Sequence, residues 1–554
     1  MSRFKSFSKW IGTPVAAMFL LVNLVTNSTT LHDYHTTLSV LLVVAVSALV
    51  ATAELALYHL LRKVRLHMVF LVVMVALHVV VMVTDAFLIK QFGFIFDNHA
   101  MYILAATDRA EIRSFLSTYL SVPVAAGIVL ALVAMLWLLW WLARFLARRR
   151  WFASAYCALL ALGVVASGVI ATNFLFRHNG MGLHLRETHA FSRVGHACKA
   201  MNDRLNEFVA LREVNRHVTA TLRQQEHTPS VVLIIGESFS VYHSSLYGYR
   251  QPTNPRLGAR QADGSLVVFD DAVSQADFTD AAMCSIFTLT EPGDPWWSAP
   301  LFPVVFRTAG FATQLVDNQY EIGGGLNSFF YDAQLSQLMF DRRNEHRFNP
   351  DDAALAAISV ADSMQLVVIH LTGQHFTYAE HYTQGFARFK PSDYEGLTQS
   401  QCAIAAHYDN ATLYNDYVVD EIIRKFEDKD CMVVYVSDHG EEIFEVDDFM
   451  GHGNASLRPD PSYQLRVPFM VWMSPKFMAM HSQVATRVKA AVHWPVITDD
   501  LPHFLLDVAG IENDHFNPRH SIVSERYDPS KPRIVRNGAD YNELKKLPHV
   551  APRY

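Results

Sequence analysis

Apolar residues are spread unevenly along the chain. Before residue 180 they run almost unbroken at 10–26, 38–61, 66–89, 119–146 and 151–176. Each run approaches or exceeds the about 20 residues that carry a helix across a bilayer. The first is the shortest and holds Pro14 and Asn23. Arg3, Lys5 and Lys9 give it the basic start of a signal peptide, but no small-residue cleavage site is clear and further spans come after it. Five transmembrane helices are predicted. Arg3, Lys5 and Lys9 precede the first, Arg62, Lys63 and Arg65 join the second to the third, and Arg144, Arg148, Arg149 and Arg150 join the fourth to the fifth. The opposite connections carry only Lys90, Arg109 and Arg113, diluted by Asp97, Asp108 and Glu111. Basic loops stay in the cytoplasm, so the amino terminus is cytoplasmic and an odd number of spans exports the carboxyl-terminal part. In a bacterium with two membranes that part lies in the periplasm and the anchor, multi-pass, in the inner membrane.

After residue 177 the pattern changes. A polar stretch rich in Arg and His carries Phe191, Val194, Met201, Leu205, Phe208 and Leu211 at helical spacing, which predicts bridging helices along the membrane surface over 178–229. From 230 to 554 the chain reads as a soluble domain. VVLIIGESFS (231–240) is an apolar strand ending in Gly236 and Glu237, with Ser238 as a helix-cap type behind them. VVYVSDHGEEIFE (433–445) is a second, without alternation, the mark of a central strand buried on both faces. It ends in Asp438 and His439, with Gly440 allowing a sharp turn. Strand patterns at 313–316 and 365–371 alternate with helical ones such as 403–426, which predicts an α/β domain built on a mainly parallel sheet.

Length and charge narrow the classes. At 554 residues the chain exceeds one ordinary domain, which fits an anchor of 1–177 and a globular unit after it. Hydrophobic residues make up 51% and charged ones 18%; the net charge is −7 with no basic block in the second half, which excludes a nucleic-acid partner. Of five cysteines, Cys157 falls in a span and Cys198, Cys284, Cys402 and Cys431 suggest no pairing. A domain this large does not need disulfides to fold.

Carboxyl ends of parallel strands are where ligands gather. Read alone, Ser-Asp-His-Gly fits a polar turn as well as a metal site. Two such strand ends, offering Glu237, Asp438 and His439, suit a divalent metal, zinc foremost. QADFTDAAMCSIFTLT (275–290) places Thr279 ahead of an apolar helical run. A threonine there is most often an N-cap. A hydroxyl at a helix start beside a metal is also how a phosphoryl-transfer nucleophile is built, and the two roles are not exclusive.

Several ordered blocks together resemble the phosphoethanolamine transferases of the Gram-negative inner membrane. GESFSVYHSSLYGYRQPTNPRL (236–257) is similar to their GES…SLYGY…R…T-P signature and SDHGE (437–441) to their metal motif. HLTGQHFTYAEHY (370–382) resembles their His-Leu-x-Gly-x-His block, and YDNATLYNDYVVDEII (408–423) and RVPFMVWMSPKF (466–477) fit in order and spacing. The five-span anchor matches as well. The resemblance implies an alkaline-phosphatase/sulfatase-like domain with one catalytic zinc, a second transient ion being compatible with it. The ligands would be Glu237, Thr279, Asp438 and His439, with Thr279 also the nucleophile. Phosphatidylethanolamine would give its head group to Thr279 and leave as diacylglycerol; a phosphate or sugar of lipid A, or another envelope glycan or lipid, would then collect it. A monomer working among membrane lipids is implied.

Other positions rest on the same resemblance. His375 in GQH and His452 in MGHGN match family histidines that contact the phosphate or protonate the leaving oxygen. Asn318 in VDNQ reads as a substrate contact or as strand-end turn chemistry. In AATDRAEIRSFL, similar to a Thr-Asn-x-x-Glu segment, Glu111 reads as a partner for the ethanolamine ammonium or as a solvated loop acid. No role is assigned to His67 and His78. The lysine usual after the Asp-Asn motif is not evident in DNQYEIGGGLNSFF, and CSIFT is not a Cys-x-Pro-x-Arg sulfatase sequence. The alternatives are a phosphoglycerol transferase of a related five-span family, which would need no ammonium-binding acid, and a non-catalytic membrane sensor with a degenerate enzyme domain. The GES…SLYGY signature argues against the first, and retention of Glu237, Thr279, Asp438 and His439 together against the second.

Overall fold

Pro14 opens the first helix instead of breaking it. Its missing N–H falls where a helix has no use for one, and the Thr13 hydroxyl accepts the Ala16 N–H to cap the turn. That helix, α1 (Pro14–Ser28), is followed by α2 (Thr37–Leu61), α3 (His67–Phe92), α4 (Val122–Ala147), α5 (Phe152–Phe176) and α6 (Ala190–Arg216). The computed structural model describes residues 10–32, 37–92, 94–97, 100–101, 104, 122–176, 189–223, 227–319, 332–344, 347–361 and 364–554. Among these, Pro14–His32, Val40–Val64, His67–Phe92 and Ala126–Ala147 are four segments long and apolar enough to cross a membrane. In α5 only the shorter stretch Phe152–Val165 meets the composition among the described residues, so four of the five expected helices are candidate spans.

Several buried polar residues of this helical unit bond to one another. Asn23 Nδ2 donates to Glu54 Oε2 at 2.8 Å, His78 Nε2 lies 3.1 Å from Glu54 Oε1, and His189 Nε2 lies 3.1 Å from Asn23 Oδ1. A lone acid among lipid-immersed helices is costly, and here both carboxylate oxygens have partners. His78, without a role in the sequence, is thereby a bundle-facing residue.

The chain divides into two compact units, Met1–Asp203 and Arg204–Tyr554, with the boundary inside α6. In the second unit the strands and helices that matter for the site are β1 (Ser230–Gly236), β2 (Leu266–Phe269), α7 (Thr279–Phe287), β3 (Ala312–Asp317), β4 (Arg342–Arg343), β5 (Gln365–His370), α8 (Gln399–Arg424), β6 (Cys431–Ser437) and β7 (Phe469–Met473). They form a seven-stranded sheet in the order β2-β7-β6-β1-β5-β3-β4. β6, β1, β5, β3 and β4 are parallel, whereas β7 is antiparallel to both its neighbours. The expected mainly parallel sheet is therefore a mixed one. A strand apolar on both faces, such as FMVWM, reads the same whichever way it runs.

Every residue of β1 and β6 is buried. Along β1, Val231, Leu233 and Ile235 point into a core shared with Met283, Ile286 and Phe287 of α7, and Val232 and Ile234 into one shared with Val418, Ile422 and Ile423 of α8. Each such side chain contributes about 1.5–3 kcal/mol by leaving water. The nucleophile candidate thus rides on one face of the sheet and α8 covers the other. α8 starts at a capping box: Thr398 Oγ1 accepts the Gln401 N–H, and Gln401 returns a bond to the Thr398 N–H. Its polar side holds the loop after β1, since the Tyr408 hydroxyl donates to Ser238 O at 2.6 Å and accepts the Ser240 N–H at 2.8 Å. All five cysteines are unbridged.

In the SLYGY region, buried His243 lies 2.6 Å from Asp409 and 3.4 Å from Glu445. Burial alone would lower its pKa, but the charge of Asp409 and the hydrogen bonds to Asp409 and Glu445 outweigh it and push it up to about 9. A raised folded pKa gives stability that is complete below 6.5 and lost as pH rises through about 9. His243→Gln should therefore cost on the order of 3 kcal/mol near pH 6 and much less near pH 10. Thermal unfolding across that range checks it; a gap between variant and parent that does not narrow would contradict a charged His243.

Candidate active site

Strand register builds the site. Gly236 of β1 pairs with Ser437 of β6, so the next residues, Glu237 and Asp438, leave the carboxyl edge of the sheet side by side. Gly236 is required by space, because a Cβ there would collide with the Tyr435 hydroxyl. Gly440 is too: its φ is not positive, contrary to the sharp-turn reading, but a Cβ would sit 2.7 Å from Tyr463 O. Ser238 has φ +54°, a left-handed conformation strained for serine. Instead of capping a helix, its hydroxyl donates to Glu237 Oε1 at 2.8 Å and its N–H to Asp438 Oδ1 at 3.1 Å.

Glu237, Asp438 and His439 are wholly buried, and their ligand atoms lie within 4.8 Å of one another. His439 Nδ1 lies 2.9 Å from Gly440 O, and a carbonyl can only accept, so this nitrogen carries a proton and Nε2 is the one left to bind a cation. Nε2 is 3.3 Å from Glu237 Oε1, 3.3 Å from Asp438 Oδ2 and 3.3 Å from Thr279 Oγ1. Thr279 Oγ1 in turn is 3.4 and 3.3 Å from the two Glu237 oxygens. A tetrahedron whose centre is about 2.0–2.1 Å from each vertex has edges of roughly 3.3–3.4 Å. The three edges from His439 and the one between Thr279 and Glu237 fit a tetrahedral divalent ion of zinc's size.

Electrostatics point the same way. Burial and the neighbouring Glu237 push the Asp438 carboxyl up to about 6. Glu237, although buried, is held well below the usual carboxylate range by the hydrogen bond and charge of His439 and by the charge of His375. His439 is raised to about 10, because Asp438 and Glu237 outweigh its burial. A protonated His439 meets part of the charge of the two carboxylates, and a divalent cation can take the place of that proton; Asp438 Oδ2 accepts no hydrogen bond among the described residues. That oxygen is a lone pair aimed into the cluster.

Thr279 is not the N-cap of its helix. Phe278 occupies that position without a capping bond, and Thr279 is the first helical residue, so its hydroxyl serves the cluster and not the helix. His452 Nδ1 lies 2.6 Å from Glu441 Oε2, with its ring centroid 4.0 Å from that of His439, and Tyr378 donates to Glu441 Oε1 at 2.5 Å. His375 stands 6.0 Å, ring to ring, from His381. Asn318 makes contacts of the strand-end kind, one of its two readings. It is fully buried; its amide donates to Asp351 and, at 3.3 Å, to Thr372 Oγ1, and its oxygen accepts the Phe348 N–H at 2.7 Å. It ties the end of β3 to the neighbouring loops. Glu111 and the 320–331 stretch, which includes the glycine run, lie outside the described residues.

The next residue along carries a role that the sequence did not suggest. Gln319 Nε2 donates to Glu237 Oε2 at 2.9 Å and to Leu371 O at 3.0 Å, holding the glutamate in place. Only its position beside the Asp-Asn motif could have marked it. Glu441 was visible inside SDHGE, but nothing in the sequence linked it to His452.

The sulfatase family is matched over residues 229–511. EptC, a phosphoethanolamine transferase of Escherichia coli O18:K1:H7, is 27% identical over 313 residues, which are 54% of this chain and 54% of that protein. The chain thus spans about half the length of the curated relative it matches. The C-terminal periplasmic domain of EptC from Escherichia coli, solved in complex with Zn, shares the fold with a TM-score of 0.52 at 24% identity, over 60% of this chain and 98% of that one. The integral membrane protein lipooligosaccharide phosphoethanolamine transferase A from Neisseria meningitidis shares it with a TM-score of 0.60 at 17% identity, over 92% and 97%.

Proposed function

We propose, since the chain belongs to the sulfatase family and resembles the phosphoethanolamine transferases within it, that it moves phosphoethanolamine from phosphatidylethanolamine to lipid A or another envelope acceptor. The observation that carries this reading is the Thr279 hydroxyl, unspent on its helix and 3.3 Å from His439 Nε2. In this reading five spans (1–177) anchor the protein in the inner membrane, 178–229 bridges, and 230–554 works in the periplasm. Glu237, Thr279, Asp438 and His439 hold one zinc. When bound, that ion lowers the pKa of the hydroxyl and offsets the charge of the phosphoryl oxygens.

The chain's own groups move the protons. Thr279 Oγ1 attacks phosphorus and yields its proton to Glu237, the acceptor within 3.3–3.4 Å. The phosphorus–oxygen bond to glycerol breaks, and His452 gives a proton to the departing diacylglycerol oxygen. Glu441 supports that role, because its carboxylate, 2.6 Å from Nδ1, fixes the ring. His375 faces the phosphate, and Glu111 pairs with the ethanolamine ammonium. In the second half-reaction the acceptor oxygen gives its proton to His452, forms the new bond to phosphorus, and Thr279 regains its hydrogen. Two displacements let donor and acceptor use one site in turn.

The test is reconstitution in vesicles of phosphatidylethanolamine carrying labelled ethanolamine, with lipid A added. Labelled lipid A and an equal amount of diacylglycerol are expected. Transfer of phosphoglycerol from phosphatidylglycerol, or diacylglycerol without labelled acceptor, would contradict the proposal.

A further inference from the structure

The helical pattern of α6 predicts an apolar buried stripe, yet a charged residue is buried on it. Leu205 is 45% exposed and its neighbour Arg204 only 6%. The Arg204 guanidinium lies over the Trp296 ring, 4.2 Å from its centroid. One end donates to Glu207 at 3.1 Å; the other donates to Asp280 Oδ2 at 2.9 Å and to Cys284 Sγ at 3.1 Å. Glu207 is held in turn by the Trp296 indole N–H at 3.0 Å. Asp280 and Cys284 are one turn apart on α7, and Asp280 directly follows Thr279.

We propose that Arg204 is a positioning residue for the nucleophile, fixing the rotation of α7 through Asp280 and Cys284 so that the Thr279 hydroxyl stays on the metal ligands. The inference rests on the function proposed above. The first turn of α7 lacks a side-chain cap, and the rest of its buried surface is apolar: Ala282, Met283, Ile286 and Phe287. Apolar packing resists separation but weakly resists rotation about the helix axis, because it has no directional bond. A planar guanidinium reaching two residues one turn apart supplies that direction. Two residues before Thr279, Asp277 accepts the Ala455 N–H at 2.8 Å, which ties the approach to α7 to the segment after His452. The distances from Thr279 to His439 and Glu237 leave little slack, and a displacement of about 1 Å in such a site costs on the order of 100-fold in rate.

The experiment compares Arg204→Lys, Arg204→Met, Asp280→Asn and the Arg204→Met/Asp280→Asn double variant as full-length proteins. Donor turnover, zinc content and the visible spectrum of cobalt-loaded protein are measured. Both Arg204 variants and Asp280→Asn should lower kcat by about 10-fold or more with KM for phosphatidylethanolamine within about 2-fold. Zinc content should hold, and the cobalt spectrum should shift toward that of Thr279→Ala. The double variant should be no worse than Arg204→Met, because one device is broken twice. Unchanged kcat and cobalt spectrum in Arg204→Met would overturn the inference, as would equal loss of zinc and of folded protein. A parent protein that turns over no donor, with an Arg204→Met variant whose cobalt spectrum still shifts, would refute the proposed function and leave the positioning role standing.

Discussion

Thr279→Ala is expected to lower phosphoethanolamine transfer by roughly 10⁴–10⁶-fold, the scale on which removing a covalent nucleophile acts. The fold should survive, because the lost hydroxyl strands nothing. Glu237 keeps Ser238 and Gln319 as donors, and His439 keeps Gly440 O. Zinc content should fall only in part, since three of four ligands remain. Thr279→Ser keeps the oxygen at the helix start and should retain measurable transfer. An alanine variant within about 10-fold of the parent would move the chemistry to another residue.

Asp438→Asn should be nearly as damaging by a different route. The amide oxygen still accepts the Ser238 and His439 N–H groups, which Asp438 Oδ1 now holds at 3.1 and 2.7 Å. The charge of the ligand oxygen is lost, however, and a neutral amide is a poor zinc ligand. Elemental analysis should find about one zinc per parent chain and a small fraction of that in the variant. A ligand at about 1,000 times its dissociation constant stabilises by roughly 4 kcal/mol, so a chelator should lower the Tm of the parent and leave that of Asp438→Asn unmoved. Full zinc content in Asp438→Asn, or a chelator effect on it equal to the parent's, would remove Asp438 from the metal site.

Much of this site was legible because strands that end in Glu or Asp-His announce themselves: the apolar run, the abrupt acid and the glycine are local features. Thr279 was legible for the same reason, as a hydroxyl opening an apolar helix. Register was not. That Gly236 pairs with Ser437 comes from the packing of β1 against β6, and only this pairing turns two motifs 200 residues apart into one cluster. The direction of β7 was hidden because burial on both faces erases the alternation that would reveal it. Residues that act by supporting others were the least visible. Gln319, Glu441 and Arg204 belong to types that usually face water, and their contacts are made across the fold. Asn318 had two readings from its motif position, and its buried amide makes contacts of the strand-end kind, to Asp351, Thr372 and Phe348. His78 carried no signal in the sequence, because its partner Glu54 lies on α2, in a separate helix.

The central claim is that Thr279 carries the phosphoethanolamine between donor and acceptor. The most direct measurement is peptide mass spectrometry after incubating the full-length protein with phosphatidylethanolamine and no acceptor. The account predicts one phosphoethanolamine mass added to the peptide containing Thr279, released when lipid A is supplied and missing from Thr279→Ala. The same mass on another residue, or on the Thr279→Ala protein at the parent's level, would contradict it.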